Sequence, residues 1–222
     1  MKPFPRGALC RAGSALILAA VCSVGAHAQA ANYPSLQLPT ASIRDYTAAI
    51  GGGSGTVALF QWREGAGPGM HLGLDAGLAD YRRSSDLQLF IGGSLGKELL
   101  RAGGEQPLDV LLTAGAGASF GGGTTLFRIP VGVSIGHTFE LDQGMSLTPY
   151  VHPRLSIDIC DDCGGNGDND SDVTLNFDLG ANFQVNRQFA VRAAMSISGS
   201  GFFGDDAFAV GFNWTPRSLG RR

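Results

Sequence analysis

Lysine is almost missing from this chain: beyond Lys2 it occurs only at Lys97, and 16% of the 222 residues are charged. Soluble proteins carry about 25%. A water-exposed β-protein uses such side chains to wet its outer faces and guard its sheet edges, so their scarcity argues against that kind of surface. Helical periodicity over a useful length is lacking as well, which excludes bundles and βαβ layering. So is any basic excess. When Lys2, Arg6 and Arg11 are set aside with a leader, the 16 basic residues fall to 13 against 19 acidic ones. Nucleic acid is therefore not an expected partner.

Cysteine is scarce too, with Cys10 and Cys22 in the leader and Cys160 and Cys163 far downstream. A lone CxxC lacks the second pair of ligands that zinc wants, and the βαβ setting of a thioredoxin-like redox motif is absent. In an oxidising envelope the spacing predicts a local Cys160–Cys163 disulfide clipping a long loop. Asp168-x-Asp170-x-Asp172 begins like a calcium loop, but the glycine after the third Asp and the distal Glu are missing. It reads as a solvated acidic loop. No metal ligand and no cofactor is assigned.

The leader itself is plain. Lys2, Arg6 and Arg11 precede a short apolar run from Ser14 to Ala26, and Ala26-His27-Ala28 or Ala28-Gln29-Ala30 supplies small-x-small cleavage. Residues 1–30 read as a secretory signal peptide, too short in their apolar core to span a bilayer, which needs about 20 residues. Residues 31–44, with Pro34 and Pro39, read as an irregular lead-in.

What the chain has in quantity is alternation. From Met145 the odd positions Leu147, Pro149, Val151, Pro153, Leu155, Ile157 and Ile159 oppose Thr148, Tyr150, His152, Arg154, Ser156 and Asp158. After a Gly/Asp/Asn loop, Val173, Leu175, Phe177, Leu179, Ala181, Phe183 and Val185 oppose Thr174, Asn176, Asp178, Gly180, Asn182 and Gln184. Side chains alternate across a strand, so Met145 to Val185 is a hairpin about a dozen residues tall. Strands in soluble domains run about 5–6 residues, whereas a tilted membrane-spanning strand needs about 9–11. Similar runs at 45–53, 56–63, 69–80, 86–99, 108–120, 124–140, from Phe189 and at 207–214 complete ten strands, the first of them weak because Gly51, Gly52 and Gly53 could be a loop. Short links imply an antiparallel meander.

The polar face decides which side is inside. It is rich in Gly, Ser, Asn, Thr and Asp, with isolated Arg128, Arg154 and Arg192, as suits a cramped lumen where charges must pair. The apolar face then meets lipid. Trp62, Phe139, Phe183, Phe189 and Trp214 fall at one end, and Tyr81, Phe120, Phe127 and Phe208 toward the other, as two aromatic girdles. His152, Arg154, Asp178 and Arg192 are expected to form one lumen charge network, with the carboxylate between two guanidiniums. His152, Ser156 and Asp178 could suggest a hydrolase, but they face the lumen while lipid substrates arrive from outside. They read as a hydrogen-bonded interior, and no catalytic residue is assigned.

With its alternation, its girdles and the terminal Phe208-x-Val210-x-Phe212-x-Trp214, the chain resembles the small bacterial outer-membrane β-barrel family, the OmpA-type transmembrane domain and its relatives. The resemblance implies that Phe208, Val210, Phe212 and Trp214 form an assembly signal for the outer-membrane insertion machinery. The pattern departs from the family in one respect, because residues 215–222 follow the final aromatic as a tail. The expectation is an all-β, antiparallel up-and-down transmembrane barrel over residues 45–214, of about ten strands with eight the alternative. Its partners would be outer-membrane lipid and the insertion machinery. Its expected role is non-enzymatic and porin-like: envelope integrity, surface interaction or narrow passage of small solutes. A barrel-embedded lipid-modifying enzyme and a secreted soluble lipid-binding barrel are the alternatives.

Overall fold

The computed structural model describes residues 33–81, 87–121, 123–161, 170–199 and 206–217. The leader, Cys163, Asp168 and the end of the tail lie outside the described residues. Ten long strands run antiparallel: β1 (Arg44–Gly52), β2 (Gly55–Gly67), β3 (Met70–Tyr81), β4 (Gln88–Leu100), β5 (Asp109–Gly121), β6 (Thr124–Gly136), β8 (Ser146–Asp161), β9 (Asp170–Gln184), β10 (Phe189–Ser198) and β11 (Ala207–Trp214). The two-residue β7 (Phe139–Glu140) prolongs β6. Each strand pairs with the next, β6 pairs with β8, and β1 pairs with β11, so the sheet closes into a ten-stranded barrel. Closure satisfies backbone donors and acceptors that an open edge would leave bare in lipid.

The alternation read from the sequence becomes two surfaces. Every spanning strand carries exposed large apolar side chains, among them Ile50, Phe60, Leu72, Leu89, Leu112, Ile129, Leu155, Leu175, Val191 and Phe212. Their neighbours in sequence, such as Gln61, His71, Arg128, Arg154, Asn176, Arg192 and Asn213, are buried. This is the inverse of a soluble domain, since a belt this size would aggregate in water. The weak first strand is held on both sides, paired along its length with β2 and β11 despite its glycines.

One expected strand, 124–140, is interrupted. Pairing of β6 with β8 stops at Gly136–Tyr150 and resumes at Phe139–Leu147. Pro149 lies between these points and has no N–H to give, so the gap is spanned by a long bond from the His137 N–H to the Pro149 carbonyl, 3.4 Å, and by a bond between the Thr138 and Thr148 hydroxyls, 3.0 Å.

The aromatic rows need one correction. Trp62, Tyr46, Trp214 and Phe189 are successive cross-strand partners on the outer face, and Tyr46 stacks on Trp214 with centroids 5.4 Å apart. Phe139 and Phe183 flank Leu147 in the same rim. Toward the other end Phe120, Phe127 and Phe208 are exposed. Tyr81 does not join them. It shares strand parity with His71, Asp75 and Ala79, and packs against the buried interior cluster.

Candidate functional site

The lumen is the candidate site, and its largest feature comes from the segment expected to be an irregular lead-in. Residues 33–42 run inside the barrel without regular secondary structure, and Tyr33, Ser35, Leu36 and Gln37 are buried. The buried backbone of such a segment needs partners other than a ladder. Side chains of the wall provide them. Arg154 Nη2 donates to the Tyr33 carbonyl at 3.5 Å, Tyr150 Oη to the Ser35 carbonyl at 3.1 Å, and Ser134 Oγ to the Gln37 carbonyl at 2.8 Å. Lower down, Glu98 Oε1 accepts from the Ala41 N–H at 2.9 Å and His71 Nδ1 from the Ser42 N–H at 3.2 Å. Pro34 and Pro39 reduce the number of N–H groups that must be satisfied.

The wall has two characters. Ala49, Val57, Leu59, Ala79, Phe90, Ala194 and Ala209 make an apolar side with which Tyr33 and Leu36 cluster. The side built from β6, β8 and β9 carries Arg128, Asp158, Arg154, Asp178, Thr174 and Asn176. Tyr33 joins the two: its ring lies 5.3 Å from that of Phe90 and its carbonyl accepts from Arg154 on β8, while its hydroxyl donates to Asp75 Oδ2 on β3 at 3.2 Å.

Four buried Arg–Asp pairs tie strands together, three between neighbours and one, Arg192–Asp45, across β11. Arg63 Nη1 lies 2.5 Å from Asp75 Oδ1. Arg128 holds Asp158 with two bonds, 2.6 and 2.9 Å, and Thr174 Oγ1 adds a third at 2.7 Å. Arg154 holds Asp178 the same way at 2.5 and 3.0 Å. Arg192 Nη2 reaches Asp45 Oδ2 at 3.4 Å, with Asn182 and Thr47 as further acceptors. Enclosing an unpaired charge is prohibitive, and matched pairs with extra hydrogen bonds make this lumen tenable.

Of the four residues expected to share one network, the structure brings three together. His152 Nδ1 stands 3.7 Å from Asp178 Oδ2, beyond hydrogen-bond range, and His152 Nε2 is 2.9 Å from Thr113 Oγ1. Arg192 does not approach Asp178. Its register partner on β11 is Gly211, and its guanidinium passes over that strand to Thr47 and Asp45 on β1. The barrel's stagger thus gives Asp178 one guanidinium rather than two. Ser156 Oγ has no hydrogen-bond partner among the described residues and makes no bond to His152, so nucleophile and base are not assembled. Cys160 is buried at the end of β8, and its expected partner Cys163 lies outside the described residues.

Beside the lumen segment a cavity of about 30 Å³ remains, lined by Ser35, Gln37, Arg63, Ser94, Thr113 and His152. That is room for one water. Sequence reasoning missed Arg63, Asp75, Asp158 and Asp45 as pairing partners. Their signal was strand parity, since each occupies the polar position of its strand.

No family model matches the chain, and no curated protein does. Among solved structures it is similar to a bacterial polysaccharide outer membrane secretin, at 13% identity and TM-score 0.46, covering 72% of this chain and 55% of that one. The chain therefore spans about half the length of that protein. It is also similar to the KdgM porin, at 4% identity and TM-score 0.41, covering 78% of this chain and 99% of that one. For the NanC porin the identity is 11% and the TM-score 0.39, over 78% of this chain and all of that one.

Proposed function

We propose that the chain is an integral outer-membrane β-barrel of the small bacterial type, non-enzymatic, with a nearly filled lumen that admits only small solutes. The observation that carries this reading is the closed barrel whose apolar side chains face outward on every spanning strand while four Arg–Asp pairs are enclosed. Lipid is the solvent that such an exterior requires. The rim of Trp62, Tyr46, Trp214 and Phe189 suits the interface between hydrocarbon and headgroups. The leader at residues 1–30 would deliver the chain across the inner membrane, and the outer face of β11, with Phe208, Val210, Phe212 and Trp214, would be read by the insertion machinery.

Fractionation and electrophoresis test the assignment. The protein should stay with the outer membrane after carbonate washing and migrate differently before and after boiling. Recovery as a soluble periplasmic monomer would overturn it. In planar bilayers the unaltered barrel should pass little current, because the enclosed segment occupies the lumen. A steady current of large-porin size would refute narrow passage.

A further inference from the structure

The segment inside the barrel is held as proteins hold a foreign extended peptide. Its carbonyls at residues 33, 35 and 37 accept from Arg154, Tyr150 and Ser134 in turn. In an extended chain alternate carbonyls point the same way, so one wall of side chains reads a peptide backbone whatever its sequence. Two side chains add selectivity. Tyr33 places its ring on Phe90 and its hydroxyl on Asp75, and Leu36 enters the apolar wall. The fit is also incomplete, since the small cavity lies against Ser35 and Gln37.

We propose that Ser134, Tyr150, Arg154, Asp75 and Phe90 form a binding site for an extended, proline-bearing peptide with an aromatic hydroxyl, and that residues 33–39 are its tethered, displaceable occupant. The site rests on the reading of the chain as a barrel, and its peptide affinity is independent of whether the barrel conducts. Tethering gives the resident segment an effective concentration of about millimolar, so a free peptide gains access when the segment's own anchors are weakened.

The probe is a fluorescent peptide of sequence Tyr-Pro-Ser-Leu-Gln-Leu-Pro, titrated into the full chain folded in detergent micelles. A Tyr33→Ala/Leu36→Ala variant should bind it saturably and at least tenfold more tightly than the unaltered protein does. Replacing the peptide's Tyr by Ala, or adding Tyr150→Phe and Ser134→Ala to the protein, should weaken binding several-fold. Equal binding of a scrambled peptide, or no saturable binding by a variant that still shows heat-modifiable migration, overturns the site. Should that variant fail to fold, Ser35→Cys in the otherwise unaltered chain gives a second reading. Excess peptide should accelerate maleimide labelling of the introduced thiol while scrambled peptide does not, and an unchanged labelling rate overturns displacement. A folded variant that binds peptide yet carries no current supports the site and refutes passage. One that carries current without binding peptide does the reverse.

Discussion

Arg192 on β10 reaches across β11 to Asp45 on β1, with Nη2 3.4 Å from Oδ2. These residues stand 147 positions apart in the chain and belong to the strands on either side of the closing one. Asn213, on β11 itself, donates to Asp45 Oδ1 at 3.2 Å and to Thr47 Oγ1 at 2.9 Å, so the first and last strands share one buried polar cluster. The closing seam is thereby fixed in register by charge as well as by backbone pairing.

Coupling at this seam is the first prediction. Arg192→Ala and Asp45→Ala should each destabilise the barrel, because each leaves a buried partner charge, and breaking such a pair costs about 3–5 kcal/mol. Their double variant should recover about 1–3 kcal/mol relative to the sum. Arg192→Ala and Asp178→Ala should instead add, since Asp178 is held by Arg154. Unfolding free energies in detergent from tryptophan fluorescence decide the matter, and a coupled Arg192–Asp178 cycle would restore the single network expected from the sequence.

How much was legible follows from this seam. Period two in the sequence marks the strands and their outward faces, because burial in a barrel depends only on parity. It does not reveal which lumen residues meet. Arg192 passes over its nearest strand to reach β1, and the stagger that brings Asp45 level is a property of the closed sheet. Depth alone places Tyr81 in the outer aromatic row, whereas its parity with Asp75 and Ala79 places it on the inner face. The segment at 33–42 has no period and two prolines, so it reads as a loop. The one clue was apolar Tyr33 and Leu36 in a stretch with no face of its own to bury them.

Depth and face predict a large contrast within β8. Leu155 is about half exposed near the middle of the strand, between Val131 and Leu175, on the outer face. Leu155→Arg should cost about 2–4 kcal/mol, as for arginine on the lipid face at mid-depth. Ser146 begins the strand at the rim, opposite Gln184, and Ser146→Arg should cost about 0–1 kcal/mol. Refolding into lipid vesicles, followed on gels, measures both. Equal tolerance would mean that the faces are reversed.

The two downstream cysteines are expected to be bridged without being needed for assembly. A Cys160–Cys163 bridge closes a very small loop, and in the chain-entropy model so short a closure adds little to a sheet paired all round. Changing both to Ser should leave heat-modifiable migration intact. Quantitative thiol labelling of the unreduced native protein would contradict the pairing.

Gly180 gives the sharpest test of how the lumen segment is held. It pairs with Tyr150 across β8 and β9, and the Tyr150 ring lies over its bare backbone, so a methyl at that position would collide with the ring. Tyr150 carries its hydroxyl to the Ser35 carbonyl from this seat. Gly180→Ala should therefore force the ring aside, costing about 1–3 kcal/mol as overpacking does and removing the bond to the segment as well. Tyr150→Ala alone should be destabilising through a different route, by opening a cavity under the segment. With the ring gone the added methyl has room, so the double variant should be no less stable than Tyr150→Ala alone. Unfolding midpoints of the three variants measure this directly. If the two losses simply add, the ring does not rest on Gly180, and the placement of Tyr150 against the segment would have to be abandoned.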